Sequence, residues 1–208
     1  INHSAVSLKE TGMHTVLTGK TKEVVIGSDR AFVMIGEKIN PTGNKKLAAA
    51  FQAGDLEMVK HLAVRQVAWG ADVLDVNVGV PGLDEMQMIG AVVRAVAEAV
   101  DVPLCIDSGK QEILAAGLAA CPGKPLVNSV NAEEAQLSTI LPIVKDRAAA
   151  VIGLTITDAG IPKSPEERLA AAGKILERAA KLGIPAEDVI IDPLVMTVGS
   201  DSKAALIT

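Results

Sequence analysis

Polar and acidic side chains stand where six short apolar runs of this 208-residue sequence end. Each run is rich in Val, Ile and Leu, and its last positions carry a carboxylate, an amide or a hydroxyl group. The residues are Glu37 and Asn40, Asp75 and Asn77, Asp107 and Ser108, Asn128 and Asn131, Thr155, and Asp192. Burying several such groups without partners would be costly, so the pattern predicts a site that a complementary ligand occupies.

Each of these residues also has a structural explanation, because Asp, Asn and Ser often cap the helix or close the turn that follows a strand. Ser108 before KQEIL and Asn131 before AEEA fit this explanation well. It fits less well for four residues that lie within the strands, near their carboxyl ends, and not after them. These are Asp75, Asp107, Asn128 and Asp192. We therefore favour capping at any single position and a shared site for the whole group.

Side-chain alternation along a strand predicts which of these groups point the same way. In VPLCID, Asp107 shares a face with Cys105, and in ADVLDVN, Asp75 and Asn77 share a face with Val73. Several carboxylates and amides are therefore predicted to point together into one opening at the carboxyl ends of the strands, which we call the mouth.

The acceptor-rich composition of this mouth favours a neutral heterocycle with several N–H donors. A 2-amino-4-oxopyrimidine edge presents a ring N–H beside an exocyclic amine, and one carboxylate can accept from both. A divalent metal is the alternative, but the set contains no His, and His61 lies inside a helical pattern, so we expect no metal. Lys38 and Lys163 are the nearby cations that could meet an anionic tail.

The elements that must position these residues alternate between short β-branched runs and longer helical patterns. Ser164, followed by Pro165, is a strong helix start, and Gly183 before Pro185 is a strong stop. The predicted strands cover residues 31–40, 71–79, 102–108, 124–130, 148–156 and 187–195. Strand–helix–strand repetition with nearly continuous apolar strands predicts an α/β fold with a parallel sheet.

Two architectures are compatible with this repetition, an open doubly wound sheet and a (β/α)8 TIM barrel. The sequence lacks a dinucleotide-binding fingerprint and a P-loop, which weakens the doubly wound alternative. Six strand–helix units are visible where a barrel has eight, so the barrel domain, residues 31–208, is expected to be incomplete by about 50–70 residues. The sequence ends inside a helical pattern, as a C-terminally truncated chain would, and residues 1–30 are expected to form a lead-in or a short hairpin.

The composition excludes several classes of protein. The 49% of apolar residues is enough for a packed core, which excludes intrinsic disorder for most of the chain. With 1% aromatic residues and a net charge of −5, the chain offers neither stacking surfaces nor a basic field, so nucleic acid is not an expected partner. No apolar run approaches the roughly 18–20 residues of a membrane span, and the first residues contain no signal-peptide core. Cys105 and Cys121 stand sixteen positions apart and are interpreted as reduced core thiols of a cytoplasmic protein.

Six ordered motifs of the sequence resemble those of the pterin-binding methyltransferases. They are IGEKINPTGNKKL, GADVLDVNVG, PLCIDS, LVNSVNAE, VIGLT with ITDAGIPKSPEER, and VIIDPLV, and they run from about Phe32 to Leu194. The family includes the methyltetrahydrofolate:corrinoid/iron–sulfur protein methyltransferase and the folate module of cobalamin-dependent methionine synthase. One such motif would be a weak signal, whereas six in this order are specific.

The resemblance implies a (β/α)8 barrel, usually a homodimer, with the pterin ring held at its mouth. By motif, Asp107, Asn128 and Asp192 match the family's pterin-contacting positions. Asp192 would accept from the ring N–H and the exocyclic amine, and the other two would meet the remaining pyrimidine edges. Further positions that line the same cavity in the family match Glu37, Asn40, Asp75 and Asn77.

The resemblance also implies a reaction of one-carbon metabolism, in which the methyl group of methyltetrahydrofolate moves to or from the cobalt of a corrinoid protein. A tertiary ring nitrogen is a poor leaving group, so a hydrogen bond or a proton at that nitrogen must develop toward the transition state. The family assigns this role largely to an Asn at the end of the seventh strand. That Asn would lie beyond Thr208, so no catalytic residue is assigned. The sequence contains no cobalamin-binding signature, and the cobalamin or other corrinoid is expected on a partner protein or on another part of the polypeptide.

Two alternatives to the methyltransferase stay open. Dihydropteroate synthase, which condenses a pterin pyrophosphate with p-aminobenzoate, belongs to the same superfamily and would share Asp107, Asn128 and Asp192. After its second strand it carries a Gly-Gly-Glu-Ser-Thr-Arg-Pro-like loop, whereas this chain has NVGVPGLDE, which favours the methyltransferase. The second alternative is a non-catalytic pterin-binding fragment.

Overall fold

The computed structural model describes residues 12–195 of the chain, which contain eight strands and six α-helices. The strands are β1 Thr15–Thr18, β2 Glu23–Ile26, β3 Ile35–Ile39, β4 Val73–Val76, β5 Leu104–Asp107, β6 Leu126–Asn131, β7 Ala150–Leu154 and β8 Val189–Asp192. The helices are α1 Lys45–Ala53, α2 Glu57–Ala68, α3 Glu85–Ala99, α4 Gln111–Ala120, α5 Glu134–Asp146 and α6 Pro165–Lys181. The helical pattern predicted at the end of the sequence lies outside the described residues.

Six of these strands form one parallel sheet in which neighbours in sequence are also neighbours in space. The strand order is β3-β4-β5-β6-β7-β8, and every adjacent pair is parallel. A doubly wound sheet reverses its order at a switch point, whereas a barrel is wound in one direction throughout. The order between residues 35 and 192 contains no reversal, so these residues form five consecutive strand–helix units and a sixth strand of a (β/α)8 barrel, and the predicted barrel is confirmed.

The two faces of the sheet pack against different parts of the molecule. Outward residues such as Leu74 and Ile106 belong to a large buried cluster that includes the helices. Inward residues form a second, smaller cluster, whose fully buried members on the sheet are Val73, Cys105, Leu126 and Ala150. This separation confirms the predicted alternation, in which Asp75 and Asp107 share the inward face.

A β-hairpin of β1 and β2 closes the amino-terminal end of this inward face. Leu17 and Val24 of the hairpin are buried against the inward residues at the beginning of the parallel strands. The Thr18 N–H donates to the Lys124 carbonyl at 3.0 Å, and the Lys124 N–H donates to Thr18 Oγ1 at 2.7 Å. The carboxylate of Asp101 accepts from two backbone N–H groups in the hairpin turn. The hairpin was one of two structures predicted for this region, and the division of the chain at residue 30 stays a prediction.

The signals predicted for the two ends of α6 are confirmed. Ser164 Oγ accepts from the Glu167 N–H at 3.2 Å at the start of α6, and Gly183, just after this helix, has a φ of +70°.

The observed strands are shorter than the predicted ones. β3 begins only at Ile35, where pairing with Val73 of β4 starts, so residues 31–34 belong to an entry segment.

Candidate active site

The mouth of the barrel contains a hydrogen-bonded pair at the ends of β4 and β5. Asn77 Nδ2 donates to Asp107 Oδ2 at 2.9 Å, and Asn77 Oδ1 accepts from the Gly79 N–H at 2.8 Å. Both ends of the Asn77 amide are therefore engaged, and its orientation is set by its neighbours. Asp107 itself is half-buried.

A second pair lies deeper and joins β4 to β6. Asn128 Nδ2 donates to Asp75 Oδ1 at 3.1 Å across the intervening strand β5. Asp75 is only 5% exposed, whereas Asn128 is half-buried. The pairing register explains this difference in depth. Asp75 lies opposite Cys105, whereas Asn128 lies opposite Asp107, two residues further toward the mouth.

The surroundings of Asp75 raise the pKa of its carboxyl group. Burial raises the pKa of Asp75 to about 6, and the nearby charges of Asp107 and Glu37 act in the same direction. The hydrogen bonds from Asn128 and from the Cys105 thiol act in the opposite direction. The pKa of Cys105 is raised well above its usual value, first by its complete burial and then by the charge of Asp75.

Asp192 stands apart from these two pairs, on the edge strand β8. Its Oδ1 accepts from the Leu194 N–H at 2.7 Å, which closes the turn after the strand. This turn is held by Arg168 of α6, which is 5% exposed and donates to the carbonyls of Pro193 and Leu194 at 2.5 and 2.8 Å. Sequence reasoning missed Arg168, although an Arg on the buried face of an amphipathic helix is a signal for such an anchor.

The other predicted residues make local contacts. Asn40 Oδ1 accepts from the Thr42 N–H, and Asn131 Oδ1 accepts from the Glu133 N–H, so both close turns. Glu37 is exposed and pairs with Lys38 Nζ at 2.9 Å. The remaining two make similar contacts: Ser108 Oγ accepts from the Lys110 N–H at 3.2 Å, and Thr155 Oγ1 donates to the Asp192 carbonyl at 3.4 Å.

A cavity of about 390 Å³ opens beside Asp107 and Asn77. Lys110 lies on its wall and pairs with Glu85 at 2.8 Å. Neither residue was predicted, although the position of Lys110 three residues after Asp107 was the available signal. Lys163, which was predicted, lines a different groove between the segment after β7 and α6.

The described part of the chain contains neither a metal cluster nor a membrane span. Among residues 12–195, no three side chains of His, Cys, Asp and Glu are arranged to hold a metal ion. No helix in that range has the length and apolar composition needed to cross a membrane. Cys105 and Cys121 are both free thiols, and burial raises the pKa of Cys121 to about 12.

Two relatives align with most of this chain. The sequence is 31% identical over 179 residues to the methylcorrinoid:tetrahydrofolate methyltransferase of Eubacterium limosum. This alignment covers 84% of this chain and 65% of that protein. It is 27% identical over 186 residues to the methionine synthase of Mycobacterium tuberculosis. That alignment covers 86% of this chain and 16% of that protein. The chain therefore spans less than two thirds of the length of either relative.

Solved structures with the same fold include dihydropteroate synthases. The enzyme from Vibrio fischeri ES114 has a TM-score of 0.67 at 18% identity over 88% of this chain and 68% of that one. The enzyme from Xanthomonas albilineans, in complex with indole-2-carboxylic acid and 6-chloroguanine, has a TM-score of 0.63 at 24% identity over 88% of this chain and 66% of that one. At these identities the likeness shows a shared fold and leaves the activity open. The family described as pterin binding enzyme matches residues 36–207, and this chain therefore belongs to the pterin binding enzymes.

Proposed function

We propose that this chain holds methyltetrahydrofolate by its pterin ring at the barrel mouth and acts in methyl transfer to or from the cobalt of a corrinoid protein. The observation that carries the proposal is the set of oxygen acceptors at the mouth, contributed by Asp107, Asn128 and Asp192. The name of the Eubacterium limosum relative, methylcorrinoid:tetrahydrofolate methyltransferase, supports the same class of reaction.

These acceptors complement the hydrogen-bond donors of a pterin ring. One oxygen of Asp192 already accepts from the Leu194 N–H, but a carboxylate has about four lone-pair sites. Asp192 therefore retains the capacity to accept from the ring N–H and from the exocyclic amine together. The remaining oxygens of Asp107 and Asn128 would meet other edges of the same ring. Further residues proposed to line the cavity are Glu37, Asn40 and Asn77, with Asp75 beneath them, hydrogen-bonded to Asn128.

The partner and this chain divide the chemistry between them. The corrinoid, bound to a partner protein, supplies the cobalt that receives or gives the methyl group. This chain binds and orients the pterin ring and shields the reacting nitrogen from water. The hydrogen bond or proton required at that nitrogen is assigned to none of residues 12–195, and we propose that an Asn beyond Thr208 supplies it. A cytoplasmic homodimer is part of the same proposal.

The proposal is tested by two assays on the full-length protein. Calorimetry with methyltetrahydrofolate measures binding, and the visible absorption of added cob(I)alamin measures methyl transfer. We expect saturable binding with one ligand per barrel and conversion of cob(I)alamin to methylcobalamin. A parallel assay supplies a dihydropterin pyrophosphate and p-aminobenzoate and measures the formation of dihydropteroate.

Each result separates the alternatives. Methyl transfer without dihydropteroate formation supports the proposal, whereas dihydropteroate formation would establish the synthase instead. Binding of the pterin with neither reaction would overturn the proposed transfer and leave a non-catalytic pterin-binding protein. Failure of the wild-type protein to bind methyltetrahydrofolate would overturn the proposed site itself.

A further inference from the structure

Asp75 lies beneath the mouth rather than in it. It is opposite Cys105 in the strand register, and the inward residues at the same depth on β6 and β7 are the fully buried Leu126 and Ala150. With 5% of its surface exposed, Asp75 has little access to a ligand at the mouth. The side chain that it does reach is Asn128, which lies one inward layer nearer to the mouth.

The chemistry of this contact sets the direction of the Asn128 amide. An ionised carboxylate only accepts hydrogen bonds, and a carboxamide has its two donors on nitrogen and its acceptor on oxygen. Asn128 must therefore turn Nδ2 toward Asp75, as the 3.1 Å contact shows, and Oδ1 away from it. Oδ1 is the end of the amide that remains for a ligand.

We propose that Asp75 is a positioning residue, which holds the Asn128 amide with its oxygen available to the ligand, so that this position selects an N–H donor of the ring. The inference rests on the proposed pterin site and assigns Asp75 an indirect role in it. The same logic applies at the neighbouring pair, where Gly79 fixes the Asn77 amide and Asn77 in turn holds Asp107.

The charge state of Asp75 provides a readout of this role. Its pKa is raised to about 6 by burial and by Asp107 and Glu37, so Asp75 is mostly ionised at pH 7 and mostly protonated at pH 5. The groups that face it are Glu37 from β3, Cys105 and Asp107 from β5, and Asn128 from β6. A protonated Asp75 can itself donate, so the constraint on the amide is lost as the pH falls through about 6.

The test is a double-mutant cycle on the affinity for methyltetrahydrofolate, measured by calorimetry with the full-length protein. Asp75→Leu and Asn128→Ala are each expected to weaken binding about 10-fold, as the loss of one hydrogen bond at the mouth would. If Asp75 acts through Asn128, the double variant is also weakened only about 10-fold, because the second change has nothing left to remove. Asp75→Asn, whose amide can donate as well as accept, fixes the Asn128 amide less firmly than a carboxylate does, and its affinity is expected to lie between those of the wild type and Asp75→Leu.

The pH profile provides the second measurement. The affinity of the wild-type protein, divided by that of Asp75→Asn, is expected to fall between pH 7 and pH 5, and titration of the ligand cancels in this ratio. Leu126→Val removes a methylene from the same inward layer and serves as the control, with an unchanged profile despite a lower melting temperature.

The outcomes distinguish this inference from the proposed function. A double variant weakened about 100-fold would mean that the two effects add and that Asp75 contacts the ligand directly, which would overturn the positioning role. A constant wild-type to Asp75→Asn ratio between pH 7 and pH 5 would overturn it as well. If the wild-type protein binds no pterin at any pH, the proposed function fails before the cycle is measured.

Discussion

Asp192→Asn is expected to weaken the binding of methyltetrahydrofolate about 100-fold, which corresponds to about 2.7 kcal/mol. The structure explains why so small a change should have so large an effect. The Leu194 N–H, at 2.7 Å from the Asp192 carboxylate, requires an acceptor, so the amide of the variant would turn its oxygen to that group and its NH2 toward the ring. The donors of the pterin would then face a donor, and a charge-assisted contact would be lost as well.

Calorimetry on the full-length protein measures this effect. Asp146→Asn is the matched control, since Asp146 is an exposed carboxylate at the carboxyl end of α5, where the same change of charge should leave the affinity within about 2-fold. The melting temperature of both variants shows whether the fold is kept. Equal affinities of Asp192→Asn and wild type in folded protein would place the pterin elsewhere.

Gly123→Ala is expected to lower the free energy of unfolding by about 3 kcal/mol, the sum of a conformational and a packing contribution. Gly123 has a φ of +67°, a conformation that disfavours any residue with a Cβ atom by about 1 kcal/mol. An added Cβ would also collide with the carbonyl oxygens of Gly19 and Thr18. Both atoms belong to the backbone of the hairpin, so the hairpin would have to move, at the cost typical of overpacking.

Urea denaturation of matched variants separates these two contributions. Gly54, after α1, has a φ of +68° and no atom within 4 Å of the place where an added Cβ would lie, so Gly54→Ala should cost only about 1 kcal/mol. The difference of about 2 kcal/mol between the two variants then reports the docking of the hairpin. Equal losses in both variants would show that the hairpin does not pack tightly against the segment around Gly123.

The hairpin shows where sequence reasoning reached its limit in the fold. The short polar and β-branched runs before residue 30 allow a hairpin, but its position depends on contacts between residues far apart in the chain. Leu17 is buried because the first inward layer of the sheet leaves an apolar surface that needs cover, and the bonds between Thr18 and Lys124 then hold it there. No local pattern near residue 18 contains that information.

Sequence reasoning grouped several of these polar residues at the ends of the strands but did not give their arrangement. A period of two placed Asp75 and Asn77 on the face of Val73, and Asp107 on the face of Cys105, because alternation is a property of the strand alone. Asn128 was assigned to the site by its motif. The structure shows that these four residues form two pairs and that Asp75 lies one layer below Asn128. This order depends on the register between neighbouring strands.

The sequence by itself determined the repeating α/β architecture, the residues that share a face within two of the strands, and the membership in the pterin binding enzymes, since periodicity and ordered motifs are properties of the chain. Only the tertiary structure decided which carboxylate is buried, which amide each one holds, and that Lys110 rather than Lys163 lies beside Asp107. The physical reason is that hydrogen bonds and pKa shifts depend on distances of a few ångströms between strands, and strand register fixes those distances.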